Sequence, residues 1–403
     1  MSKQFSSNKK TAKRNDDGKS NAQYLDDNEQ QFEKDVERDH SVNEKQTYPL
    51  FIIMSLPPAV HNNDKDDHGI PIIDFSPWSQ KNGSEEDKTR VSQEIFHAFS
   101  TIGFVVLIKH GIKDDDAKGK GGVTERGFQA SRAFFELDKE TKSQYEYLST
   151  KSNRGYIAMG QEKLDGDLPD IKETFDIGYE GEKEYANRWP VDTEIHDEFK
   201  SAMLEYFEEY DKLHLNILRS LARGMGFEND DYFTPLCNGN HQNLRLLHYP
   251  ECDREAIAKG QKRGGIHTDY GTITLVAQNG VGGLVAQKRN GDWVNVPPMP
   301  GGIAVNVGEM LQRWSNDILR ATPHQILDDD PFHTNNETPK SDRVAERYSI
   351  AYFCNANKDT SLECLPVCQS AERPPRYEPI NAFEYITMRL TSTIPVMPPA
   401  ATA

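Results

Sequence analysis

The sequence predicts an α+β to mainly β protein whose core is a double-stranded β-helix, a form of jelly roll, flanked by helices. Three observations carry this expectation. From residue 244 onward, short apolar runs are separated by Gly, Pro and Asn turns, the texture of a β-sandwich or barrel. Before that point, apolar residues recur at helical spacing instead. No internal repeat interrupts the change from one texture to the other.

Order is expected to begin at Ile70-Pro71-Ile72-Ile73-Asp74-Phe75, a short strand pattern. A helix over about 88–100 follows, with Val91, Ile95, Phe96 and Phe99 at helical spacing. Gly103-Phe104-Val105-Val106-Leu107-Ile108 reads as a buried strand ending at His110-Gly111. A second helix is expected over about 124–147. A third spans about 194–225, with Phe199, Met203, Phe207, Tyr210 and Leu221 on one face, and stops at Gly226. Strands are then expected at 244–249, 272–277, 283–286, 293–296 and 303–307, with a helix around 309–314, a late strand at 348–353 and a terminal helix over 383–391. The resulting division is an N-terminal extension (1–67), a mainly helical module (68–235), a jelly-roll domain (240–358) and a C-terminal helix and tail (359–403).

Residues 1–67 are rich in Lys, Asp, Asn, Gln, Glu and Ser and poor in aromatics. Such a composition cannot offset the entropy of ordering, so this extension is expected to be disordered. Its basic cluster, Lys9-Lys10-Thr11-Ala12-Lys13-Arg14, reads as a solvated tail in preference to a nuclear signal. Met54-Ser55-Leu56-Pro57-Pro58, after the apolar Leu50-Phe51-Ile52-Ile53, looks like an ordinary protein start, and Met54 is expected to be the natural initiator. The 403-residue chain is 36% hydrophobic and 28% charged with a formal net charge of −17. That balance gives no global attraction for nucleic acid or anionic membranes. No apolar run approaches the roughly 20 residues of a membrane helix. Five widely spaced cysteines do not form a disulfide framework, and Cys364-x-x-x-Cys368 lacks the second pair a zinc site needs. A cytoplasmic monomer acting on a small molecule is expected, with the nucleus as the other compartment.

The candidate site residues lie in the second half. Residues two apart on a strand share a face, so His267 and Asp269 of His267-Thr268-Asp269 are expected to reach one metal ion from one strand. For this pair alone a structural hydrogen bond explains the pattern as well. His324, in an apparent strand over 320–327, would complete a 2-His-1-carboxylate set, the pattern of non-haem Fe(II) oxygenases, although zinc accepts the same residue types. Pro323 suggests that this strand is an edge or is bulged. His333 is a rival third ligand in a Pro- and Asn-rich loop. Arg347 and Ser349, also two apart, would hold a carboxylate, the guanidinium bidentately and the hydroxyl as a further donor.

In combination these segments resemble the 2-oxoglutarate- and Fe(II)-dependent dioxygenases of the isopenicillin N synthase-like superfamily, over roughly residues 70–392. The resemblance runs through the 70–75 segment, Gly103-Phe104, His110-Gly111, Phe134-Phe135, Lys139, Arg154-Gly155-Tyr156 and Lys172-Glu173-Thr174-Phe175-Asp176-Ile177-Gly178. It continues through Leu244-Arg245-Leu246-Leu247-His248-Tyr249-Pro250, His267-Thr268-Asp269, His324 and Arg347-Tyr348-Ser349. It implies that His267, Asp269 and His324 bind Fe(II), and that Arg347 and Ser349, with the Tyr249 hydroxyl, hold the distal carboxylate of 2-oxoglutarate. It also implies an O2-dependent decarboxylation of that co-substrate to succinate and CO2, coupled to hydroxylation, desaturation or cyclisation of a small metabolite. Leu247 departs from the Asn common in plant members, and the Phe175 region and Phe353 resemble pocket-lining positions. Two rivals stand beside this reading: an oxidase of the isopenicillin N synthase type, which does not use 2-oxoglutarate, and a non-catalytic jelly-roll binding protein.

Overall fold

In the computed structural model, fourteen short strands and the helices around them are described over residues 69–393, apart from 81–82, 114–120, 150–151, 166–167 and 328–341. The expectations for the N-terminal extension, the basic cluster, Met54 and His333 lie outside the described residues. Everything below belongs to the unit Ile53–Ala403.

The main sheet has the order β1-β2-β11-β8-β14-β5-β4-β3. Its strands are β1 (Ile72–Asp74), β2 (Phe104–Ile108), β3 (Gly155–Ile157), β4 (Glu173–Gly178), β5 (Asn243–Tyr249), β8 (Ile273–Gln278), β11 (Ile303–Val307) and β14 (Arg347–Phe353). The second sheet runs β10-β9-β12-β7, from Trp293–Asn295, Leu284–Gln287, His324–Ile326 and Gly264–His267. A two-strand ribbon pairs β6 (Cys252–Asp253) with β13 (Arg343–Val344). Apart from the parallel pair β1–β2, neighbours are antiparallel. The four strands β11-β8-β14-β5 and the four of the second sheet form the jelly roll. The N-terminal module, expected to be mainly helical, extends the main sheet with β1-β2 on one side and β4-β3 on the other.

Strand alternation sorts the two faces of the main sheet. Val105, Leu107, Leu275, Val305, Ile350 and Phe175 join the core beneath helices α1 (Glu85–Thr101), α2 (Val123–Phe135) and α4 (His196–Gly224). Phe104, Val106 and Ala304 instead pack with Leu284, Ala286 and Ile326 of the second sheet. Helix α1 starts three residues before the expected boundary because Ser84 caps it, accepting from the Asp87 N–H at 3.0 Å, with Glu85 and Glu86 in the first turn. The helix expected over 124–147 is two pieces. Asp138 accepts from the Thr141 N–H at 2.9 Å and starts a new short helix, α3 (Lys139–Ser143), so the chain breaks after α2. Two further helices, α5 (Glu309–Trp314) and α6 (Ala382–Thr393), flank the second half.

Phe134 sits at the centre of the helix-side core, with its ring 4.3 Å from Phe175 and 5.6 Å from Phe199 by centroids. Phe134→Ala is expected to lower the unfolding free energy by about 3–5 kcal/mol through lost burial and a cavity. A urea titration showing less than about 1 kcal/mol would place the core elsewhere.

Candidate metal centre and carboxylate pocket

His267 is the last residue of β7 and His324 the first of β12. The two face each other directly across the strand pair, with ring centroids 4.3 Å apart. Asp269 does not share the strand with His267, as alternation suggested. It lies in the turn after β7, held by its carbonyl accepting from the Glu309 N–H at 2.8 Å. Its Oδ1 is nearly equidistant from the two imidazoles, 3.9 Å from His267 Nε2 and 3.8 Å from His324 Nε2. Strand β12 is not an edge strand: it lies between β9 and β7, with a register shift between His324 and Ile326 on the β7 side. Pro323 precedes the first residue of the ladder, where its missing N–H costs nothing.

The hydrogen bonds fix how these groups present themselves. His267 Nδ1 lies 2.8 Å from the Gly265 carbonyl and His324 Nδ1 lies 3.0 Å from the Thr322 carbonyl. A carbonyl only accepts, so each Nδ1 carries the proton and each Nε2 offers a lone pair to the shared centre. Burial, and then the neighbouring His324 imidazole, push the His267 imidazole down to about 4, which keeps it neutral. Burial works to raise the Asp269 carboxyl. The two histidines and hydrogen bonds from Asn306 and Thr274 outweigh it and hold the group below its ordinary value. Asn306 Nδ2 donates to Asp269 Oδ2 at 2.6 Å, leaving Oδ1 for the centre. Two neutral imidazoles and one carboxylate suit a divalent cation and leave coordination positions open. Among the described residues, this is the group of His, Cys, Asp and Glu side chains that converges as a metal site would.

The same cavity contains Tyr249, Arg347 and Ser349. Arg347 is fully buried. Its Nη1 donates to Ser349 Oγ at 2.9 Å and its Nη2 to Gln278 Oε1 at 3.2 Å, and it lies over the Tyr249 ring at 5.0 Å. All three partners are neutral, and its Nε has no hydrogen-bond partner among the described residues. Burial lowers its pKa, the mark of a cation short of compensation. A ligand carboxylate would supply the missing charge. Leu247, opposite Ser349 in the β5–β14 register, also lines the cavity, so that position presents no amide.

The remaining walls carry groups that the motifs did not single out as functional. Lys172 Nζ lies 2.9 Å from Asp170 and 3.3 Å from Glu162, and Arg245 bridges Glu162 at 3.0 Å and Asp176 at 2.9 Å. Burial alone would raise the Glu162 carboxyl, but Lys172 and Arg245 hold it down at about 2. Phe353 lines the cavity, as does Lys172 just before β4, whereas Phe175 itself joins the helix-side core, on the face of β4 opposite Thr174 and Asp176. Ile386 and Leu390 of α6 complete the wall. Asn306 was legible in principle, as the polar residue of an otherwise apolar strand. The contact between α6 and the cavity had no sequence signal.

Asn306→Ala is expected to lower divalent-metal affinity about 10- to 100-fold, because the Asp269 carboxylate would lose its orienting donor. A Mn(II) titration giving unchanged affinity would remove Asn306 from the site.

Comparison with known proteins gives the family. Residues 70–192 match the family described as non-haem dioxygenase in morphine synthesis N-terminal, and residues 240–356 match the 2OG-Fe(II) oxygenase superfamily. The proline hydroxylase buaE of Petromyces alliaceus is 34% identical over 311 residues, covering 75% of this chain and 92% of that protein. A full-length Neurospora crassa protein, solved in complex with alpha-KG (2-oxoglutarate) and thymine, is 36% identical, with a TM-score of 0.72 over 83% of this chain and 99% of that one. A 2OG-Fe(II) oxygenase family protein from Caulobacter crescentus is 31% identical, with a TM-score of 0.66 over 80% of this chain and 98% of that one. The chain belongs to the 2-oxoglutarate- and Fe(II)-dependent oxygenase superfamily and is a non-haem Fe(II) dioxygenase that uses 2-oxoglutarate and O2.

Proposed function

We propose that His267, Asp269 and His324 hold the Fe(II), and that Arg347, with Ser349 and Tyr249, receives the distal carboxylate of 2-oxoglutarate. The observation that carries this reading is the buried Arg347 guanidinium, which has only neutral protein partners and shares a cavity with the histidines and Asp269. When bound, Fe(II) supplies the O2 chemistry that couples decarboxylation of 2-oxoglutarate, to succinate and CO2, to oxidation of a C–H bond of the substrate.

The protein's own work is orientation and exclusion. The carbonyls of Gly265 and Thr322 hold the two Nδ1 protons, and Asn306 turns one carboxylate oxygen of Asp269 toward the centre. Arg347 and Ser349 set the end of the co-substrate that does not react, which fixes its length along the cavity. The ion pairs Lys172–Glu162 and Arg245–Asp176 leave no cation or carboxylate of that wall without an opposite charge. An uncharged polar small molecule suits such a surface better than an ion. Thymine, with which the Neurospora crassa protein was solved, is the first compound to assay, followed by a metabolite panel read by succinate release.

His267→Ala and Asp269→Ala are each expected to abolish 2-oxoglutarate turnover while the protein stays folded by circular dichroism. Arg347→Ala is expected to raise the KM for 2-oxoglutarate about 10- to 150-fold, the equivalent of roughly 1.5–3 kcal/mol for hydrogen bonds to a charged group. An unchanged KM in that variant overturns the role of Arg347. No succinate from Fe(II)-loaded protein, with any compound or with none, would instead favour the oxidase that dispenses with 2-oxoglutarate.

A further inference from the structure

Helix α6 reaches the metal centre through one carboxylate. Glu309, at the start of α5, accepts from the hydroxyl of Thr268, the residue between His267 and Asp269. Its own N–H donates to the Asp269 carbonyl at 2.8 Å. On the opposite side, Tyr385 donates its hydroxyl to Glu309 Oε2 at 2.7 Å. Arg389 closes on both oxygens, with Nη2 2.9 Å from Oε1 and Nε 2.9 Å from Oε2. The same guanidinium lies 4.6 Å over the ring of Tyr270, the residue after Asp269. Helical spacing places Tyr385 and Arg389, four apart, on one stripe of α6, and Ile386 and Leu390, also four apart, on the adjacent stripe that lines the cavity.

We propose that Glu309 and Arg389 are positioning residues that couple docking of α6 to loading of the metal centre, so that Ile386 and Leu390 wall the substrate cavity when the turn from His267 to Asp269 is ordered. This rests on the assignment of that centre made above. Ligation fixes the turn, and with it the Thr268 hydroxyl and the Asp269 carbonyl. Glu309 is then held by both its backbone and its side chain, and its carboxylate stands where Tyr385 and Arg389 need it. The side chains of Glu309 and Arg389 are 17% and 34% exposed, so the fork is shielded without being sealed, as a reversible contact requires. Coupling of this kind is reciprocal: if metal and co-substrate favour the docked helix, the docked helix tightens their binding by the same factor. The side of the substrate facing α6 then meets two aliphatic side chains, and the side facing Arg245 and Glu162 meets paired charges.

The test is hydrogen–deuterium exchange of the full chain, with and without Mn(II) plus 2-oxoglutarate, for the wild type and for Glu309→Gln, Arg389→Ala and Arg389→Lys. In the wild type, loading is expected to slow exchange over residues 382–393 about three- to tenfold. Glu309→Gln, which keeps the shape and removes the charge, is expected to cancel that slowing and to weaken Mn(II) affinity by the same factor. Arg389→Ala should also cancel the slowing, and Arg389→Lys should restore part of it. Equal exchange in loaded and unloaded wild type, or slowing that persists in Glu309→Gln and Arg389→Ala, overturns the coupling. Wild-type protein that binds neither Mn(II) nor 2-oxoglutarate by thermal shift overturns the metal-site reading itself, and this proposal with it.

Discussion

Period-two alternation in the central strands of the main sheet is the constraint on which the rest of the molecule depends. Leu246, Leu275, Val305, Ile350 and Tyr352 are fully or almost fully buried on the helix side. Their immediate neighbours Arg245, Thr274, Asn306, Ser349 and Phe353 line the cavity. A slip of one residue in any of these strands would exchange the two sets, putting charge under the helices and aliphatic groups into the cavity. Burying a guanidinium such as Arg347 costs several kcal/mol unless something compensates it. The apolar face of the same strands makes that burial tolerable, because Arg347 and Arg245 are each carried by a strand anchored on its other side. Stability and chemistry are therefore carried by opposite faces of the same strands.

The metal centre adds a second constraint, the close approach of two loops. A Cβ on Gly308 would collide with the Gly271 carbonyl oxygen, and one on Gly271 would collide with the Cys354 oxygen. Only glycine permits that packing. It brings the turn carrying Asp269 against the start of α5, where the Glu309 N–H takes the Asp269 carbonyl. The two histidines are set differently, by direct pairing of β7 with β12. Three groups from two sheet strands and one turn thus meet without any of them leaving a backbone segment already tied down by hydrogen bonds, which is what preorganisation means in structural terms.

The central grouping was legible in the sequence for reasons that were partly mistaken. His267 and Asp269 do converge, but through a turn and its contact with α5, not through alternation along one strand. Arg347 and Ser349 converge as alternation requires, since both lie within β14 and point into the cavity. The Phe175 region divides in the same way: Lys172 lines the cavity, while the place of Phe175 on β4 sends its ring to the core. The break after α2 was signalled by Asp138, a cap that helical periodicity alone overlooks. What stayed out of reach was the tertiary pairing of side chains that are distant in sequence. Arg245 with Glu162, or Arg389 with Glu309, carry no local pattern linking one partner to the other.

That difference in legibility reflects a division of labour within the cavity. Its end that carries His267, Asp269, His324 and Arg347 is built from jelly-roll strands β5, β7, β12 and β14, fixed by backbone pairing, and from the turn after β7, fixed by the Glu309 N–H. Its other walls come from the N-terminal module, through Glu162, Leu164 and Lys172, and from α6, through Ile386 and Leu390. Changes to these walls can alter what the cavity accepts without moving the strands that hold the centre, because the ladder hydrogen bonds and the walls involve different atoms. A fold divided in this way lets the reaction stay constant while its substrate changes. For this chain, the reaction is read from the strands. The substrate must be read from a wall whose charges are already paired, and from a helix that reaches the centre through the carboxylate of Glu309.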